Sequence, residues 1–548
     1  MSDAGAESIV RKLGRGSLLS QLFRQNRTPL RLVAVPRDHV PGDRARGQQL
    51  LQGRFAHGTG TLALAQAEPG VAGAEGLLAE AFHGFAWLRD LAAGGSRDQG
   101  ARLAEAVAAR WLVAHGRKVD AAWRPALWGE RLLFWTAYAP YLLSSSDAAY
   151  RSALLNTAVR GAQHLTATAD QAPPGLPRIT AWAGLTAASL LLRGSVAGVA
   201  RAEGGLLRAL ASAQSEDGGL LSRSPAEQLL LVDRLSLLRA AYHAAKHQPP
   251  DALESAAGAA LSALSGVVLG DGALSSWQGG NGGDPARVAA VIEGCGLRAR
   301  PLRHARGWGY QRLSALGTVV VVDAAPPPAA RMARVGSAST LALEISDGPQ
   351  RLVVNCGGPG LLPSAIAPEL AQALRTTAAH STLTLGDTNS TAILPDGSLG
   401  KGVAEVSLAR SEDDNFARLE AEHDGYARAF GLGHRRGLAL GNDGKEVRGL
   451  DRLVARGRKR IRKDVPYAIR FHLAPDVEAV RTADGMGAIL RSPAAPPWSF
   501  RCRGAQLEIE ESVWVDGQAQ LRPTTQLAIV GEVSALGTEV GWQFRRSS

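Results

Sequence analysis

Cysteine is scarce in this 548-residue chain: only Cys295, Cys356 and Cys502 occur, far apart. They form no CxxC pair, zinc ribbon or disulfide framework, and read as buried small hydrophobes. Lysine is also rare, with seven lysines against 54 arginines. An arginine fork suits carboxylate and sulfate better than lysine does, although heavy Ala, Arg and Gly usage equally marks a GC-rich genome. The longest apolar run, Ile179 to Leu192, is shorter than a bilayer span and carries Thr and Ser, so no transmembrane segment is expected. The N-terminal stretch MSDAGAESIVRKLGRGSLLSQLFRQ lacks the apolar run of a signal peptide and reads as a short basic amphipathic helix. No Walker loop, HExxH, G-x-S-x-G elbow or Rossmann fingerprint occurs.

What is present belongs to a globular chain of more than one domain. Apolar residues make up 45% and charged residues 20%, which excludes wholesale disorder. The net charge is +11. No recognition helix, stacking platform or zinc module accompanies that charge, so nucleic acid is not an expected partner. The basic cluster RGRKRIRKD, 456–464, lies between strand-like runs and reads as a solvated hairpin loop. GGNGGD, 279–284, follows no strand and so makes a poor phosphate loop.

From about Gly73 to Gly266 apolar residues recur at helical spacing. LLAEAFHGFAWLRDLAA places Leu77, Ala81, Phe85 and Leu88 on one helix face, and AAGGS, QAPPGLP, SEDGG and HQPPD punctuate the joins. From about Gly307 the pattern shifts to short runs with two-residue alternation or β-branched enrichment. Examples are STLALEIS, QRLVVNC, FARLEAEHD, YAIRFHLAP, AQLEIEESVWV and EVGWQFRR. Turn sequences such as SDGPQ, GNDGK and TADGMG separate them. The reading is an α+β multidomain chain, helices first and an antiparallel sandwich second. The divisions are a basic N-terminal segment over 1–45, a helical domain over 46–305 and a β-sandwich domain over 306–548.

Three segments together resemble the heparinase II/III family of polysaccharide lyases: SEDGGLLSRSPAEQLLLVDRLSLLRAAY (215–242), RTTAAHSTLTLGDTNS (375–390), and HDGYARAFGLGHRRGLAL (423–440) followed by RFHLAPDV. The resemblance implies an (α/α) toroid of helical hairpins packed on the sandwich, with a substrate cleft between. It further implies β-elimination on an acidic, uronate-containing polysaccharide in the cell envelope. That location stands against a cytoplasmic alternative, since no export signal is visible. Elimination needs a cation or donors to neutralise the uronate carboxylate, a base for the C5 proton and an acid for the leaving oxygen.

Carried over residue by residue, the resemblance places His380 at the family's β-domain histidine. Where the catalytic tyrosine belongs stands Glu227. Ser222 replaces an acidic residue, and Pro177-Arg178 falls where an Asn-His pair would grip the carboxylate. Tyr426 is the best remaining phenol for acid–base work, so His380 and Tyr426 are the catalytic candidates. Arg178, Arg223 and Arg375 are the substrate-binding candidates. Some relatives hold zinc or calcium in the β domain. Here His380, Asp387 and His423 are suitable ligand types without a recognisable spacing, so no cofactor is expected. His83, His434 and His472 read as structural, and Trp87 and Trp182 as core residues rather than a sugar-stacking wall. The alternative function is a non-catalytic acidic-glycan-binding or envelope-assembly protein that has lost the tyrosine.

Overall fold

A computed structural model of the protein describes residues 30–58, 60–64, 76–117, 119–193, 197–332, 335–362, 365–456, 464–493, 495–534 and 538–547. The N-terminal stretch expected as a basic helix lies outside these residues, as does most of the 456–464 cluster.

The helical region runs from Arg44–Leu51 to Pro285–Gly294. Its helices start where the local chemistry satisfies their first N–H groups. Ser96 and Gln99 make a reciprocal capping box for Arg97–His115, and the Asp147 and Ser224 side chains cap Ala148–Thr168 and Pro225–Ala245. Proline occupies the first turn of Pro125–Ala137, Leu176–Leu191 and Pro225–Ala245, where its missing N–H costs nothing. Helices Pro125–Ala137 and Leu176–Leu191 cross at glycine: a Cβ on Gly184 would lie 2.1 Å from the Gly129 carbonyl oxygen.

LLAEAFHGFAWLRDLAA is not one helix but two, Leu77–Gly84 and Trp87–Gly94. Phe85 breaks it with a left-handed φ of 62°. Its ring is fully buried against Trp87, Trp111 and Trp135, a burial worth about 2 kcal/mol that offsets the backbone strain. The same core holds Arg131, whose guanidinium stacks 4.1 Å and 4.3 Å from the Trp111 and Trp128 ring centroids.

The strand region is a sandwich of two sheets whose described strand pairs are all antiparallel. One runs, in spatial order, Val406–Glu412, Phe416–His423, Leu432–Gly441, Glu446–Ala455, Thr538–Arg546, Ala495–Arg503, Gly487–Ser492, Glu478–Arg481. The other runs Gln506–Val515, Leu521–Glu532, Pro466–Leu473, Gln350–Val354, Leu343–Asp347, Thr318–Asp323, Tyr310–Ala315, with Leu383–Leu385 also pairing with Pro466–Leu473. Period-two alternation turns Phe471, Phe500, Trp542 and Phe544 inward, where Phe471 and Trp542 meet edge-on at 4.7 Å. Strand Ala495–Arg503 escapes sequence recognition because Pro496 and Pro497 open it. Its ladder to Thr538–Arg546 begins at Trp498, after both prolines.

Helical and sandwich regions are joined by buried polar contacts. Arg223 pairs with Asp323, and its Nε donates to the Trp308 carbonyl. The Tyr310 hydroxyl donates to the Arg223 carbonyl. Farther along, Arg351 grips Asp271.

Candidate functional site

A cleft of about 500 Å³ opens where the two regions meet. The helical wall comes from the N-terminal parts of Pro125–Ala137, Leu176–Leu191 and Pro225–Ala245. Val335, Gly360 and Leu361 close the sandwich side, beside Gln278 from the segment between helices Asp251–Gly266 and Pro285–Gly294. Glu227, Leu230 and Arg234 all face it because three- and seven-residue steps fall on one helix face. Glu227 lies in the first turn of Pro225–Ala245, behind the Ser224 cap, so the resemblance's tyrosine position does reach the cleft.

The cleft's charges are Glu80, Glu130 and Glu227 against Arg124 and Arg234. Both guanidiniums are already engaged. Arg124 bonds Glu80 at 2.7 Å, and Arg234 bonds Glu130 and the fully buried Asp233. Asp233 belongs to a deeper network in which Arg89 bridges it to Asp38. Burial works against its charge, but Arg89, Arg234 and Arg287 outweigh that and hold its carboxyl well below the usual range.

The expected site residues are dispersed. His380 is buried, with Nδ1 2.7 Å from the Thr376 carbonyl, and Nε2 has no partner among the described residues. Burial lowers its pKa, against the opposing pull of Thr376 and Asp323, so it is held toward the neutral form. Asp323 also receives Gln278 at 3.4 Å, and Gln278 is a cleft residue. This places His380 behind the sandwich wall of the cleft rather than in its lining.

Tyr426 is not at the cleft. Its hydroxyl donates to the Leu383 carbonyl inside the sandwich core, and burial pushes its pKa far up. That corrects its reading as an available acid, because a phenol spent on a core carbonyl has no access to a sugar. Arg178 folds back so that Nε and Nη2 both donate to the Ala172 carbonyl. Arg223 is consumed by Asp323 and by the Pro326 carbonyl at the interdomain joint. Arg375 donates Nε to the Gly336 carbonyl at 2.6 Å and is buried. None of the three lines the cleft. Each satisfies backbone carbonyls that would otherwise be buried without a partner. The arginines that do line it, Arg124 and Arg234, were missed. Arg234's seven-residue step from Glu227 was the signal that could have found it.

The remaining candidates are structural. Trp182 Nε1 donates to Asp170 and Trp87 Nε1 to the Phe82 carbonyl, both rings being buried. His83 Nδ1 accepts from Trp111, His434 Nε2 bonds Asp451, and His472 Nδ1 lies 2.8 Å from Ser512 Oγ. Among the described residues no three or more His, Cys, Asp or Glu side chains converge as a ligand set. His423 Nδ1 accepts the Gly425 N–H, and Asp387 lies in a separate groove with Arg470 and Glu532, so these residues do not fit a shared metal. No described helix is long and apolar enough to cross a membrane.

Residues 297–543 match the family model described as heparinase II/III-like, C-terminal. The chain is 30% identical to FtsZ-localized protein C of Caulobacter vibrioides, over 95% of this chain and 91% of that protein. Its fold is similar to a mutant heparan sulfate lyase from Pedobacter heparinus, with a TM-score of 0.62 at 15% identity, covering 92% of this chain and 83% of that one. It is also similar to the Streptomyces coelicolor A3 chondroitin AC lyase in complex with chondroitin sulphate, with a TM-score of 0.51 at 11% identity, covering 92% and 78%. At these identities the two lyase likenesses concern fold alone.

Proposed function

Because this chain belongs to the heparinase II/III-like family, we propose that it is a non-catalytic member that serves as a binding and assembly protein of the cell envelope, acting at FtsZ structures. The observation that carries this reading is the charge arrangement of the cleft. Glu227 stands on its wall, and both cleft guanidiniums are already paired with carboxylates. A uronate entering there finds the cleft's cations already taken by carboxylates, so its C5 proton gains little acidity. Similarity to a protein named for its localization with FtsZ supports the assembly role.

The test has two arms. The full-length protein is sedimented with FtsZ polymers, and it is incubated separately with heparan sulfate, chondroitin sulphate and other uronate polymers under ultraviolet detection. Co-sedimentation without new absorbance is expected. Failure to sediment removes the FtsZ role, and catalytic release of unsaturated uronates removes the non-catalytic reading.

A second reading, β-elimination on a uronate-containing polysaccharide, is supported by membership of the heparinase II/III-like family and by the match of His380 to that family's β-domain histidine. It requires turnover that disappears in His380→Ala while the fold persists.

A further inference from the structure

The two edges of the sheet that contains Pro466–Leu473 are treated differently. At one, the chain preceding Tyr310–Ala315 overlies the strand: the Arg312 N–H donates to the Arg303 carbonyl, and His304 bridges to Gln311. At the other, Gln506–Val515 is laddered to Leu521–Glu532, and among the described residues its opposite side is met only near its C-terminal end, by Cys356.

Parity shows where the backbone groups of this second edge point. The Asp516 N–H donates across the hairpin to the Gln520 carbonyl, while the Val515 N–H turns outward to the Cys356 carbonyl. Bonding direction alternates along an antiparallel strand, so its odd-numbered residues aim N–H and C=O away from the sheet. Leu507, Ile509 and Glu511 therefore present outward groups, and these have no partner among the described residues. The strand is ten residues long, contains no proline and keeps one register throughout. It thus lacks the proline and the bulge that commonly blunt a free edge. What it carries is charge of one sign: Glu508, Glu510 and Glu511, with no Lys or Arg from Gln506 to Val515. A second copy added here would set carboxylate against carboxylate, whereas Lys or Arg on an incoming strand would be matched across the pair.

We propose that Gln506–Val515 is a docking edge that accepts an extended, basic polypeptide segment by strand addition. The outward N–H and C=O groups of Leu507, Ile509 and Glu511 supply the ladder, which is indifferent to side chains. Glu508, Glu510 and Glu511 select the partner by charge. The carboxylates have a second consequence: they keep the bare edge from pairing with copies of itself.

The experiment uses the full-length protein and a fluorescein-labelled synthetic peptide of alternating Lys and Val, with an alternating Glu and Val peptide as its counterpart. The Lys peptide is expected to bind at least about 10-fold tighter, and to slow hydrogen exchange at the Leu507, Ile509 and Glu511 amides. Ile509→Pro removes one outward N–H without touching the ladder to Leu521–Glu532, and should weaken binding about 10-fold while Ile509→Val does not. Should Ile509→Pro fail to fold, the Glu508→Lys/Glu510→Lys double variant replaces it and should prefer the Glu peptide. The proposal is overturned if the Lys peptide does not bind, if a folded Ile509→Pro binds it as well as the parent does, if the edge amides exchange unchanged in the complex, or if the protein pairs with itself through this strand.

Discussion

Arg223 and Asp323 form a buried ion pair across the joint between the helical region and the sandwich. Arg223 adopts a left-handed φ of 56° just before the Ser224 cap, so the turn that starts helix Pro225–Ala245 is held by the sandwich itself. Removing one partner leaves an uncompensated buried charge. Asp323→Ala should destabilise the protein by about 3–5 kcal/mol, whereas replacing both partners with apolar residues should recover only part of that loss, because the Trp308 and Pro326 carbonyls then lose their donor. Urea unfolding of the single and double variants measures it. Equal losses in the two would refute the pairing argument.

The glycine crossing that frames the cleft makes a second expectation. Gly184→Ala sets a methyl against the Gly129 backbone, which cannot swing aside as a side chain can. Forced separation of these helices should cost about 1–3 kcal/mol. Gly258, where an added Cβ meets nothing within 4 Å, is the control: Gly258→Ala on helix Asp251–Gly266 should be neutral or stabilising. Thermal melts of the two variants decide the point.

Buried imidazoles should make stability fall on acidification. Burial, reinforced by the neighbouring His380, brings His472 down from 6.5 to about 3, and burial with Arg131 does the same to His83. The native state keeps these rings neutral, whereas the unfolded chain takes up their protons once the pH drops below 6.5. Their contribution is therefore fully present above that value. It is lost as the pH falls toward about 3, by up to about 1.4 kcal/mol per pH unit for each ring. Urea midpoints measured from about pH 7 to about pH 5 should decline, and His472→Gln should flatten the decline. An unchanged slope in that variant counts against the neutral-ring assignment.

All three thiols are buried, and burial pushes Cys356 up to about 11. A thiol-specific reagent at neutral pH should leave the native protein nearly unmodified and react with all three cysteines after denaturation. Rapid reaction of a native thiol would show that the surrounding packing opens.

The amino-acid order alone carried the class of the fold. Helical spacing up to Gly266 and two-residue alternation beyond Gly307 are local properties, as are the turn sequences between strands, so they can be read without knowing the neighbours. The motif segments likewise point to the family, and Glu227 at the tyrosine position is legible in the sequence. What each candidate side chain faces is not a local property. Tyr426, Arg178, Arg223 and Arg375 look available in the sequence, but each lies within reach of a carbonyl or carboxylate that packing removes from water, and there a bond to the protein replaces any bond to a sugar. Tertiary structure alone chose Arg124 and Arg234 for the cleft, paired both with carboxylates, broke the helix at Phe85 for its ring's burial, and left the outward groups of Leu507, Ile509 and Glu511 without a partner among the described residues. Those outcomes depend on contacts between residues distant in the chain, which neither periodicity nor motif spacing encodes.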